Sequence, residues 1–102
     1  MTAPSNNRDI STSSIVVASK DQVSSDLAGE TVLLSMQSAM YYGLDQVGSR
    51  IWELVRTPIR VSDIRDAITA EYNVGPDRCE ADVLAFLREL ASKGLIEVTD
   101  GS

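Results

Sequence analysis

A change of hydrophobic period at Asp45 constrains this chain more than any other feature. Before it, strand-prone stretches alternate with short polar breaks: Val23, Asp26 and Leu27, then Gly29, then Thr31 to Met36, then Gln37 and Ser38, then Ala39 to Leu44. That spacing is the spacing of hairpins, and it predicts three antiparallel strands. A two-residue turn at Gln37 and Ser38 puts Val32, Leu34, Met36 and Tyr41 on one side of the sheet. Leu33, Met40, Tyr42 and Leu44 then lie on the other. Both sides are apolar, so helices are expected over one face and a further partner over the other face or the edge.

After Asp45, itself a good N-cap, the period is helical. Val47, Ile51, Leu54 and Val55 form the stripe of a first helix, with Trp52 beside it as a packing residue, ending before Thr57 and Pro58. A second helix is expected from Ser62 as cap to Asn73 and Gly75, packing Ile64, Ala67, Ile68 and Tyr72 inward. A third has Asp77 as cap after Pro76, Glu80 in the position of a capping box, and Gly94 as the left-handed stop. Its apolar residues, Val83, Leu84, Phe86, Leu87, Leu90 and Ala91, span an arc wider than one packed face needs, so this helix should touch two things.

The order is therefore β-β-β-α-α-α: an α+β, winged-helix-like domain with a three-stranded antiparallel sheet followed by three helices. Ile15 to Val17 reads either as a short strand or as a leader into the first one, and Leu95 to Val98 either as a strand or as a packed tail. At 102 residues the chain has room for one core. The expected organisation is a flexible arm over 1–19, a domain over 20–99 and a tail over 100–102.

Composition narrows the chemistry. Nine Lys and Arg against fifteen Asp and Glu give a net charge of −6, which disfavours a phosphate-bearing partner. The third helix has the place of a DNA reader without its charge: Arg78, Arg88 and Lys93 stand among Asp77, Glu80, Asp82 and Glu89. There is no histidine, which removes the commonest metal ligand and the usual base of a nucleophile pair. The carboxylate pairs Asp63 with Asp66 and Glu80 with Asp82 read as caps and solvated helix faces. Cys79 lies in a helical first turn, which lowers a thiol pKa, but acidic neighbours raise it, and it reads as structural. A single cysteine, no apolar signal segment and no long apolar run point to a cytoplasmic protein that is not an enzyme, with no cofactor, no metal, no nucleic acid and no membrane. Of the neighbours Tyr41 and Tyr42, alternation sends one to the core and the other outward, where tyrosine suits a binding surface.

Three runs, GETVLLSMQSAMYYGLDQVGSRIWELV, VSDIRDAITAEYNV and DVLAFLRELASKGLIEV, then carry a resemblance. Together they are similar to the PqqD-like family, the peptide chaperones also called RiPP precursor recognition elements. The resemblance extends from about Gln22 to Val98. It includes the junction Tyr41-Tyr42-Gly43-Leu44-Asp45, then Gly48 and Ile51-Trp52-Glu53-Leu54, and the closing Leu90 and Gly94-Leu95-Ile96. Within the family, a stand-alone chain with this junction resembles the leader-binding proteins of lasso peptide clusters.

The resemblance implies an adaptor that binds the leader of a ribosomally made precursor. It would present that leader to a leader peptidase, a transglutaminase-like cysteine protease, with an ATP-dependent macrolactam cyclase as a further partner. The leader would add as a strand to the third strand and lie against the third helix. Here that edge is Ala39, Met40, Tyr41, Tyr42 and Gly43, where glycine lets another backbone come close. Val83, Phe86, Leu87 and Leu90 form the facing wall, although Leu84, Leu87 and Ala91 fit the core more readily than Phe86. Asp82 and Glu89 would attract basic leader residues. A leader of the pattern Tyr-x-x-Pro-x-Leu suits such a groove. Two alternatives stand beside this reading: delivery of a precursor to a radical enzyme within the same family, and a winged-helix DNA-binding regulator.

Overall fold

The computed structural model describes residues 10–27 and 30–99. In chain order the elements are β1 (Ile15–Ala18), β2 (Gln22–Leu27), β3 (Glu30–Ser35), β4 (Tyr41–Leu44), α1 (Gln46–Leu54), β5 (Ile59–Arg60), α2 (Val61–Tyr72), α3 (Pro76–Ser92) and β6 (Ile96–Thr99). The expected meander is the sheet β2-β3-β4, antiparallel throughout. Leu33 pairs with Tyr42 and Leu34 with Tyr41, the register expected from the apolar alternation. The loop that sets it is longer than two residues. Ser35 N–H donates to the Met40 carbonyl at 3.0 Å, and Ala39, at φ 56°, turns the chain back.

Alternation then sorts the sheet's two sides. Thr31, Leu33, Ser35 and Leu44 are buried on the side that faces the helices, with Tyr42 half-buried beside them. On the other side Val23, Leu34 and Tyr41 make one row across the three strands. Tyr41 and Val23 in that row, with Met36 and Met40 in the adjoining loop, are each more than half exposed.

A second sheet, β5-β1-β6, pairs Ile15–Ala18 with both the chain between α1 and α2 and the chain after α3. This corrects the expected arm over 1–19. Residues 15–18 form the central strand of a sheet, Ile10 and Ser14 are buried, and the arm's remaining residues 1–9 lie outside the described residues, as does the tail 100–102. Leu95 to Val98 is resolved the same way, as a buried leucine running into β6.

The N-terminal segment also explains why Ser62 is not the cap of α2. Val61 N–H donates to the Ser14 carbonyl and Ser62 N–H to the Thr12 carbonyl, so backbone from residues 12–14 satisfies donors that a capping side chain would otherwise take. The cap position falls on Arg60. In α3 the cap is Gly75 rather than Asp77, because Pro76 occupies the first helical turn, where its missing N–H costs nothing. Glu80 makes no capping box; it accepts from Arg65 Nη1 at 2.9 Å and joins α2 to α3. Asp45 caps α1 as expected, accepting from Gly48 N–H at 2.7 Å.

Trp52, Ile51, Val55, Ile64, Ile68, Val83, Leu87 and Leu95 are the heart of the core between the sheets and the helices. Cys79 is buried with them, its thiol 3.6 Å from the Arg65 carbonyl. Arg50 ties α1 to α2 through a forked pair with Glu71, both contacts 2.9 Å.

Hydrogen bonding by Arg50 holds the Glu71 carboxyl below its ordinary value, and a carboxylate with a depressed folded-state pKa contributes stability that is lost as pH falls through that value. Glu71→Gln is therefore expected to lower urea stability at neutral pH, with the deficit shrinking once pH falls below about 4 and gone when the depressed folded-state value is passed. At Gly48 an added Cβ would come 3.1 Å from Asp45 Oδ1 and 3.3 Å from Phe86 Cζ. Gly48→Val is expected to cost about 1–3 kcal/mol in the same assay, by overpacking and by disturbing the cap.

Candidate functional site

β4 is an edge of its sheet, bonded to β3 alone. The Ser35–Met40 hydrogen bond sets the parity along it: in an antiparallel ladder, residues that turn both main-chain groups toward the neighbour alternate with residues that turn both away. Met40, Tyr42 and Leu44 face β3. At the far end the Ser49 hydroxyl accepts from Thr31 N–H and donates to the Leu44 carbonyl, which agrees with this parity and locks α1 to the ladder. Tyr41 and Gly43 consequently direct N–H and C=O to the open edge.

Beside that edge lies a groove of about 320 Å³, bounded on one side by Tyr41, Tyr42, Gly43 and Leu44 and on the other by Phe86, Glu89, Leu90 and Lys93. The two walls run antiparallel. Phe86 stands next to Gly48 and Leu44, at the end of β4, whereas Lys93 lies against Tyr42, near its start. From Phe86 to Lys93 the helix rises about 10 Å, the length that β4 covers in its four residues, so helix and strand match along the groove.

Both ends are fixed. At one, Gly48 leaves room for the Phe86 ring against α1; at the other, Gly94, at φ +72°, sits so close to Gln37 of the β3–β4 loop that an added Cβ would come 2.9 Å from its Oε1. The helical period turns Val83 and Leu87 fully inward, at 2% and 0% exposure, into the core rather than the groove. Phe86, one residue off that stripe, stays half-buried and faces the groove.

Six of the residues singled out from sequence therefore line the groove: Tyr41, Tyr42, Gly43, Phe86, Glu89 and Leu90. Val83 and Leu87 lie beneath it in the core. Ala39 and Met40 belong to the loop before β4 and are exposed there. Asp82 stands apart, exposed on α3 and 3.8 Å from Arg78. At Gly43 a Cβ would meet nothing within 4 Å, so the folded chain itself does not require glycine there. Leu44 and Lys93 line the groove without having been singled out. The signal for Lys93 was its i,i+4 spacing from Glu89 at the helix end. Its ammonium lies 3.3 Å from Glu89 Oε2 and 5.3 Å from the centre of the Tyr42 ring.

Arg50, Arg65, Arg78 and Lys93 each have a carboxylate partner. Among the described residues, no three side chains of the His, Cys, Asp or Glu type gather as a metal site, and no helix is long and apolar enough to cross a membrane.

Comparison with known proteins bears on the fold and the family. No curated protein matches the chain. Among solved structures it is similar to TbiB1 in complex with the TbiA(beta) leader peptide, at 47% identity and a TM-score of 0.75, over 79% of this chain and 94% of that one. The fold is shared with lasso peptide synthetase B1 complexed with its leader peptide, at 21% identity and a TM-score of 0.72, over 80% and 96% of the two chains. It is shared also with the PqqD truncation of Methylobacterium extorquens PqqCD, a stand-alone RiPP recognition element, at 24% identity and a TM-score of 0.75, over 91% and 99%. The family model for coenzyme PQQ synthesis protein D matches residues 30–96. A meander with an open third strand, three helices behind it and this match, which spans well over half of its length, make the chain a member of the PqqD family.

Proposed function

We propose that this protein is a non-catalytic adaptor of lasso peptide maturation. It binds the leader of a ribosomally made precursor as a fourth strand on β4 and presents it to a leader peptidase. The observation that carries the reading is the open β4 edge beside a matched apolar groove, in a chain 47% identical to one whose structure holds a leader peptide.

The mechanism follows from the two walls. Tyr41 and Gly43 offer main-chain donors and acceptors in register, each bond worth about 0.5–1.5 kcal/mol net, and these bind any extended peptide alike. Selectivity comes from side chains that alternate into the groove against Phe86, Leu90 and the Tyr42 ring. The leucine of a Tyr-x-x-Pro-x-Leu leader is the right kind of group for the groove, large and apolar, and the tyrosine, five positions earlier, falls on the strand's other side, the side of the Tyr41 ring. The proline, which lacks an N–H, is tolerated wherever its nitrogen faces away from β4. Nothing in this scheme needs a reacting residue: the peptidase, a cysteine protease of the transglutaminase-like kind, and the macrolactam cyclase supply the chemistry, and the adaptor raises the local concentration of their substrate.

Phe86→Ala and Tyr41→Ala are each expected to weaken binding of a synthetic Tyr-x-x-Pro-x-Leu peptide roughly tenfold, read by isothermal titration calorimetry. Tyr41 is 71% exposed on the sheet face away from the helices, so its variant leaves the core undisturbed and tests contact of an added strand with that face, whereas Phe86→Ala tests the groove. Unchanged affinity in both variants would rule out strand addition at β4 as the binding mode. Salt-sensitive binding of a DNA duplex in place of the peptide would favour the regulator instead.

A further inference from the structure

Among the described residues that line the groove, the cation is Lys93, and it is held in a particular way. Lys93 is 30% exposed, its ammonium over the Tyr42 ring, whereas its partner Glu89 is 64% exposed and lies toward the rim. An incoming strand that covers the Tyr42 ring would strip water from the ammonium that lies over it. An ammonium has three donors, and the contact with Glu89 uses one. The remaining donors would then be enclosed between the peptide and an aromatic face, where a carboxylate partner strengthens and a second cation is repelled.

The direction of the peptide follows from the same geometry. A strand antiparallel to β4 runs with α3, entering at Phe86 and leaving at Lys93. Given the strand-addition reading above, on which this step rests, Lys93 meets the residues just C-terminal to those that fill the apolar part of the groove.

We propose that Lys93 is a specificity-determining residue that reads an acidic side chain, Asp or Glu, shortly after the leucine of the bound leader. Glu89 holds the ammonium in place in the free protein and gives way to the peptide carboxylate on binding. This differs from the expectation that Glu89 attracts a basic leader residue: the reader here is Lys93, the member of the pair that lies over the Tyr42 ring.

The test uses synthetic peptides built on Tyr-Ala-Ala-Pro-Ala-Leu with a four-residue extension, in which a single Glu, Lys or Gln walks along the extension. Binding is measured by calorimetry to the wild type, Lys93→Met, Lys93→Glu and Glu89→Gln. At one position of the walk the Glu peptide is expected to bind about fivefold to tenfold tighter than the Lys peptide. That gap should close in Lys93→Met, invert in Lys93→Glu, widen in Glu89→Gln and shrink with added salt. A gap that persists in Lys93→Met, or a wild-type preference for Lys that Glu89→Gln abolishes, would overturn the assignment. So would equal binding of all three peptides at every position. If the Gln peptides also fail to bind, the strand-addition reading itself falls, an outcome distinct from loss of charge preference alone.

Discussion

The packing of α3 alongside β4 is the contact on which the rest of the site depends. One face of the helix, through Val83, Leu87 and Leu90, is sunk into the core. That burial fixes where the adjacent face, with Phe86, Glu89 and Lys93, must stand relative to the strand. Gly48 and Gly94 then set the groove's two ends, the first by admitting the Phe86 ring, the second by letting the chain turn under Gln37. A fully buried leucine contributes on the order of 1.5–3 kcal/mol, so the wall is anchored by several such residues rather than by the exposed ones that would meet a peptide. In the strand-addition reading, Phe86 of this helix would meet the peptide while Val83 and Leu87 hold the fold, and Leu90 serves both.

An unprotected strand edge is ordinarily a hazard, because it templates pairing with any extended chain. In this protein the two edges of the meander differ. The β2 edge carries Ser24, Ser25 and Asp26 in its middle. β4 is short, only four residues, and flanked by α3, which admits a strand from one side and of limited length. The second sheet, β5-β1-β6, plays a separate structural role, tying the N-terminal segment, the α1–α2 connection and the C-terminal strand together, away from β4. The helices behind are joined by Arg50 with Glu71 and Arg65 with Glu80.

Much of this was legible in the order of residues. The parity of β3 and β4 followed from apolar alternation, and it survived a wrong turn length because a four-residue loop from Met36 to Ala39 and a two-residue turn at Gln37 and Ser38 keep the same partners opposed. Asp45 and Gly94 were legible because their geometry is local. The second sheet was not, since β1 finds its partners more than 40 and 75 positions away and β5 is two residues long. Ser62 and Asp77 misled for a related reason: distant backbone from residues 12–14 does the work of the first, and Pro76 moves the helix start away from the second. In α3 the wide apolar arc marked the right surface, but which residues face the groove and which the core depends on a rotation that only packing sets.

The most direct test of strand addition is amide hydrogen exchange along β4, followed by NMR with and without a Tyr-x-x-Pro-x-Leu peptide. The Tyr41 and Gly43 amides, which face the open edge, are predicted to become protected on binding, while the Tyr42 amide, already turned toward β3, changes little. A peptide that binds tightly yet leaves Tyr41 and Gly43 exchanging as in the free protein would contradict the fourth strand.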